Sequence, residues 1–250
     1  AKQQAKLADD ATELVLLLAR VRAEQSKLTA PAREQSALVE HAVELLDRAE
    51  HFQPANVPRA LYEDRSNYRR LLGDSAGADA DWERAESTPI RTARDLYLRA
   101  TSLAAGKHYA AAVRDLEAAV RLDRKHFWAH FALGICHYQL GQFREAIGDY
   151  NCCETLWDKC PWTYLNRGLA YSRRDRWDDA IADYSKALAL DKTFADAHVN
   201  RGLAYLNRSR YDDAITDLSR AIDLSRRGGP IWAARAAAHA GRGEFDRARA

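Results

Sequence analysis

Side chains able to do acid–base, nucleophilic or metal chemistry are plentiful in this 250-residue chain, so their spacing decides what they mean. Asp115, Asp149, Asp183 and Asp217 recur at one fixed interval, which reads as a surface helix residue repeated once per structural unit. His126, His130 and His137, with Cys136 beside the last, offer the best arrangement for a metal. A zinc site needs four converging ligands held by a second layer of partners. His126 precedes the helix that carries the others, so no metal site is expected. Cys136, Cys152, Cys153 and Cys160 form no CxxC pair and read as free thiols in small-residue slots, suited to a reducing compartment. There is no glycine-rich phosphate loop, no GxSxG elbow and no HExxH pair. The chain is therefore expected to be no enzyme, with no catalytic residue and no cofactor.

Composition agrees with a binding role. Apolar residues make up 47% of the chain and charged ones 30%, and the charges nearly cancel at +2. No sequence-wide basic field exists to recruit nucleic acid or an anionic membrane. The longest apolar run, Leu14 to Ala19, falls far short of the ~20 residues of a membrane span. There is no methionine and no signal peptide, so the sequence reads as a piece of a longer protein. A cytoplasmic setting fits, as does the extracytoplasmic part of a membrane protein.

The elements that carry these residues repeat. Asn166-Arg167-Gly168-Leu169-Ala170-Tyr171 returns unchanged, 34 residues later, as Asn200-Arg201-Gly202-Leu203-Ala204-Tyr205. The same step links a small residue at Ser66, Ala100, Gly134, Gly168, Gly202 and Ala236, and an aromatic at Tyr109, Phe143, Trp177, Tyr211 and Phe245. It also links alanines 78, 112, 146, 180, 214 and 248, and a bulky column at Trp82, Leu116, Tyr150, Tyr184 and Leu218. Antiparallel helices approach closely only where a small side chain leaves room, and large ones fill the space beside the crossing. Each pair of helices leaves an apolar face that the next pair must cover, so the units have to stack.

This period and column pattern resembles the tetratricopeptide repeat (TPR). The resemblance implies an all-α, helix-turn-helix solenoid wound as a right-handed superhelix. Units are expected at about 59–92, 93–126, 127–160, 161–194 and 195–228, with a partial unit from 229 to 250. Residues 1–58 depart from the pattern and read as an N-terminal helical hairpin. Its first helix carries Leu7, Ala11, Leu14, Leu18, Val21 and Leu28 at alternating four and three spacing, with Gln25 in the interrupted slot. That spacing suits either a cap on the solenoid or a coiled-coil seam joining two copies in a homodimer. Thr29 and Pro31 mark the next helix start, and Pro54 its end. In that second helix Ala42, Leu46 and Ala49 resemble the second helix of a TPR unit, two residues out of register.

In TPR proteins the first helix of each unit lines the concave side, where ligand peptides usually lie. Carried over residue by residue, this implies a peptide-binding groove of Tyr97, Trp128, Phe131, Tyr138, Trp162, Asn166, Arg173, Asn200 and Asn207. Arg94, Thr101, Ile135, Leu165, Asp196 and Val199 lie beside them. The aromatics suit anchoring and the asparagines suit pairing with a peptide backbone. Asn166 and Asn200 match an asparagine of the carboxylate clamp found in chaperone-binding TPR domains. Phe131, Ile135, Pro230 and Ala234 stand where its basic partners are needed, so that role is rejected.

The leading expectation is a protein-interaction scaffold that holds a protein or peptide ligand. The alternative is a docking or regulatory region of a larger bacterial serine/threonine kinase or similar signalling enzyme, which stretches such as His126-Phe127-Trp128-Ala129-His130-Phe131 resemble. RNA binding through Arg173, Arg174, Arg176, Arg208, Arg210, Arg226 and Arg227 ranks lower, because Asp175, Asp178 and Asp212 dilute the charge. No nucleic acid and no membrane contact are expected.

Overall fold

The structure is a computed structural model that describes residues 11, 12, 14–16, 18–23, 32–52, 57–224 and 229–243. Leu7, Gln25, Leu28, Thr29, Pro31, Pro54, Arg226, Arg227, Phe245 and Ala248 lie outside the described residues. Helices and their connecting turns account for the whole fold, with no strand among the described residues. They divide into two units, Ala1–Gly106 and Lys107–Ala250.

The first unit holds α1 (the helical residues between 11 and 23), α2 (Ala32–Phe52), α3 (Arg59–Leu71), α4 (Ser75–Ser87) and α5 (Ala93–Ala105). The second holds α6 (Tyr109–Leu122), α7 (Phe127–Gln139), α8 (Phe143–Leu156), α9 (Pro161–Ser172), α10 (Trp177–Leu190), α11 (Ala195–Asn207), α12 (Tyr211–Leu224) and α13 (Gly229–Gly241). First helices start at Arg59, Ala93, Phe127, Pro161, Ala195 and Gly229, each 34 residues after the last. Second helices start at Ser75, Tyr109, Phe143, Trp177 and Tyr211 with the same step. In the second unit each helix packs on the next, α6 on α7 through α12 on α13.

The small-residue column does what its chemistry demands. A Cβ built on Gly168 would lie 2.5 Å from the Tyr184 ring, one on Gly134 would lie 2.6 Å from Tyr150, and one on Gly202 would lie 2.8 Å from Leu218. Tyr150, Tyr184 and Leu218 are fully buried, each pressed into the notch that a glycine leaves on the facing helix. Tyr184 is fixed further by its hydroxyl, 3.0 Å from Ser172 Oγ. The alanines 112, 146, 180 and 214 are fully buried beside them.

The turns between first and second helices also repeat. A residue in the left-handed region recurs at Gly73, Lys107, Gly141, Asp175, Ser209 and Gly243, with φ from 56° to 87°. The next amide closes the helix end: Gln142 N–H donates to His137 O (2.8 Å), Arg176 to Tyr171 O (3.1 Å) and Arg210 to Tyr205 O (2.9 Å). Three of the six positions carry side chains in a conformation that costs a non-glycine residue about 1–2 kcal/mol.

In the first unit, α2 buries Ala42, Leu46 and Ala49, the residues that resemble a TPR second helix. Beside them α1 turns Thr12, Leu16, Ala19 and Ala23 inward. Arg20 donates to Asp64 Oδ2 (2.5 Å), to Thr101 Oγ1 and to the Leu98 carbonyl (3.0 Å), which joins α1 to α3 and α5. The heptad-spaced residues Leu14, Leu18 and Val21 point outward at 68, 44 and 52% exposure. That stripe therefore takes no part in holding α1 to its own chain.

Two substitutions test this packing by urea unfolding. Gly168→Ala drives a methyl into a ring that has nowhere to go and is expected to cost about 1–3 kcal/mol. Ser209→Gly relieves the left-handed strain and is expected to add about 0.5–1 kcal/mol.

Candidate functional site: the exposed face of the first helices

In the second unit successive first helices touch one another, α7 with α9, α9 with α11 and α11 with α13. The second helices α8, α10 and α12 make no comparable approach to each other among the described residues. A stack whose first helices sit closer than its second helices curves toward the first-helix side. The outward positions of α7, α9 and α11 therefore line the inner face of this unit.

That face carries much of the exposed large apolar surface. Trp128 is 47% and Trp162 51% exposed, and Ile135 and Leu203 are also open. Both tryptophans are braced from beneath. Trp128 meets Phe127 (4.9 Å) and Phe131 (5.7 Å) edge-on, and Trp162 meets the buried Phe194 at 4.5 Å. Phe131 is half-buried and abuts Tyr150. Trp157, which the sequence reading passed over, is exposed and packs on Phe127 at 5.3 Å, so four aromatics form one cluster. It sits in the turn before α9, outside the repeat columns that the reading followed.

The other expected residues fall into smaller groups. At the far end of α7, Tyr138 meets Phe143 (5.4 Å), and the exposed Arg173 stacks over the same ring at 5.3 Å. Asn166 and Asn200 are half-buried and Asn207 exposed. Each sends its side-chain amide back one helical turn, to Trp162 O (2.8 Å), Asp196 O (2.8 Å) and Leu203 O (2.9 Å). The amide is thereby held in one orientation, with its Oδ1 directed away from that bond. Tyr97 belongs to the first unit, where it is buried on α5 at 6% exposure.

Beneath the face lies a polar framework that corrects the reading of the repeated aspartates as surface residues. Asp183 and Asp217 are buried at 4 and 3% exposure. Asp183 takes a two-pronged grip from Arg167 (2.7 and 2.8 Å), and Asp217 one from Arg201 (2.6 and 2.9 Å). Arg65 and Asp81 repeat the arrangement in the first unit at 2.9 and 2.6 Å. The same arginines reach the preceding second helix: Arg167 to Asn151 and Glu154, Arg201 to Ser185, Arg65 to Asp47 and Glu50. A hydrogen bond from Arg167, helped by Lys186, holds the Glu154 carboxyl down at about 2. The sequence signal was present, since an arginine stands 16 residues ahead of an aspartate in three of the repeats.

The candidate chemical groups resolve into structural ones. His126 is the N-cap of α7, its Nδ1 accepting from Ala129 N–H (3.1 Å), and burial lowers its pKa toward the neutral form that can accept. His130 Nε2 lies 3.2 Å from the Arg124 carbonyl. No group of three metal-binding side chains comes together among the described residues. Cys136, Cys153 and Cys160 are buried and Cys152 is exposed. Burial pushes the Cys136 thiol up to about 11 and raises Cys153 and Cys152 as well, which suppresses the reactive thiolate. Arg176, Arg208 and Arg210 are paired with Asp179, Asp178 and Asp213. No helix among the described residues is long and apolar enough to cross a membrane.

Stacked helical hairpins tied by buried arginines, with an open aromatic face on the first helices, define a helical-repeat scaffold. Tetratricopeptide-repeat sequence models match residues 97–151 and 195–227, and a TPR repeat model matches 168–209. The chain belongs to the tetratricopeptide-repeat family, whose members are typically non-catalytic scaffolds for protein–protein interaction. No curated protein matches the sequence. Among solved structures it is similar in fold to MamA, at 22% identity and TM-score 0.58 over 60% of this chain and 88% of that one. A tetratricopeptide repeat protein from Parabacteroides merdae ATCC 43184 aligns at 17% identity and TM-score 0.58 over 96 and 90% of the two chains. The C-terminal part of a TPR repeat-containing protein from Cytophaga hutchinsonii aligns at 16% and 0.57 over 92 and 93%.

The framework can be tested by a double-mutant cycle in urea. Arg167→Leu strands the Asp183 carboxylate and is expected to cost about 3–5 kcal/mol, whereas Arg167→Leu with Asp183→Leu is expected to recover most of it.

Proposed function

We propose that the inner face of α7, α9 and α11 holds a segment of a partner protein, with Trp128 and Trp162 as its anchors. The observation that carries this reading is two tryptophans, about half exposed, on the first helices of successive repeats and braced edge-on by rings behind them. Pre-fixed aromatics give contact area with little entropy left to lose, which is why they dominate interface energies. The amides of Asn166, Asn200 and Asn207, held by their own helices, supply oriented groups for a bound backbone. Tyr138 and Arg173 extend the face toward the helix C-termini.

A second reading concerns a second copy of the chain. The outward stripe of Leu14, Leu18 and Val21 keeps the four and three spacing of a coiled-coil seam while the opposite side of α1 packs inward. Pairing of two chains through that stripe would cover it.

Capture of interacting proteins from source-cell lysate, wild type beside Trp128→Ala/Trp162→Ala, tests the first reading. Each truncated anchor is expected to cost about 2 kcal/mol of binding, roughly thirtyfold in affinity. Equal capture by a folded double variant would place the binding elsewhere. For the second reading, sedimentation equilibrium is expected to show a dimer that Leu14→Glu/Leu18→Glu converts to monomer, and a monomeric wild type would end it.

A further inference from the structure

Two departures from the repeat meet in one hairpin. Where Arg65, Arg167 and Arg201 stand in other repeats, α7 has Leu133, buried at 3% exposure. The aspartate that such an arginine would grip is nevertheless kept, as Asp149 on α8. One turn after Leu133, in the slot of Tyr171 and Tyr205, stands His137, whose Nδ1 lies 2.6 Å from Asp149 Oδ2. Both side chains are largely covered, at 12 and 16% exposure. The loss of the arginine and the gain of the histidine thus compensate each other across the same pair of helices. Arginine stays charged at every pH a cell presents, but histidine does not.

We propose that the α7–α8 hairpin is a pH-responsive joint in an otherwise pH-indifferent array: protonated His137 clamps Asp149, and the clamp weakens as the medium turns alkaline, loosening α7 and the aromatic cluster it carries. This holds whatever the inner face binds. The charged and titratable groups around the pair favour it. Glu145 on α8 and Glu117 on α6 add negative potential at His137, and His130 on α7 adds positive potential at Asp149. Cys136 and the α8 residues Tyr150, Cys152 and Cys153 all feel the Asp149 charge and are themselves raised, so they stay neutral. From α9, Arg167 is engaged with Asp183 and Glu154. The hydrogen bond to Asp149 raises the His137 pKa above its ordinary 6.5, with burial opposing, and burial raises Asp149, with His137 opposing.

The direction follows from linkage. A group whose pKa is higher in the folded chain takes up a proton on folding, so its stabilisation is complete below the unfolded pKa and is lost as pH rises through the folded one. For Asp149 that loss falls in the acidic range, and for His137 it begins at the ordinary histidine value and runs above it.

The test is amide hydrogen exchange of the full chain between pH 6 and 8.5, corrected for intrinsic exchange, beside an NMR titration of the histidine side chains. Protection in α7 and α8 is expected to fall severalfold with rising pH while α9–α12 change little, and His137 is expected to titrate above free histidine. Leu133→Arg/His137→Tyr, which installs the pair used in the next repeat, is expected to abolish that local dependence. Should that variant misfold, Asp149→Asn, which removes the carboxylate alone, is expected to return the His137 titration to an ordinary value. Either an ordinary His137 titration in the wild type or the same α7–α8 pH dependence in the folded variants would overturn the proposal.

Discussion

A guanidinium buried between three helices sets the geometry on which the rest of this protein depends. Arg167 grips Asp183 on its partner helix with two parallel hydrogen bonds, and with its remaining nitrogen reaches Asn151 and Glu154 on the helix before. A buried charge left without partners would cost several kcal/mol, so the three helices must come to the arginine together. Its planar fork also fixes their orientation in a way that a lysine could not. The next residue in each strand of the argument is steric: Gly168 follows Arg167, Tyr184 follows Asp183, and the ring fills the notch. A polar tie and a steric lock at consecutive residues leave two helices one way to cross.

Repetition turns that local rule into a surface. Arg201 with Asp217 and Ser185 repeats the tie one hairpin on, and Arg65 with Asp81 and Asp47 repeats it in the first unit. Because the arginines satisfy the polar groups between helices, the outward positions of α7, α9 and α11 are released from packing. Trp128 and Trp162 can therefore remain half exposed while the rings beneath hold them still. Rigid support and an open apolar edge are what a binding face requires, and both come from the same helices.

The N-terminal helices adapt the rule. Arg65 bonds Asp47 from 18 residues away, whereas Arg167 reaches Asn151, and Arg201 Ser185, across 16. The two extra residues are the shift at which Ala42, Leu46 and Ala49 resemble a second helix, so α2 serves α3 as a preceding hairpin would. Arg20 then performs a similar task for α1, tying it to Asp64, Thr101 and the Leu98 carbonyl. Burial pushes the Asp64 carboxyl up, and Arg20 opposes it.

The sequence alone determined the helices, their 34-residue step and the crossings, because a glycine facing a tyrosine in every copy has one steric meaning. Trp128 and Trp162 were legible as candidates for the same reason, since their column places them one turn from residues that must pack. The repeated aspartates were not legible: a carboxylate on a helix reads as solvated until the arginine 16 residues earlier is seen to fold back over it. Nor could spacing reveal that Leu133 and His137 answer each other, or that the heptad side of α1 is the outward one. Burial and pairing are properties of two segments at once, and only the tertiary structure brings the second segment into view. Periodicity records what each helix needs, and packing decides which neighbour supplies it.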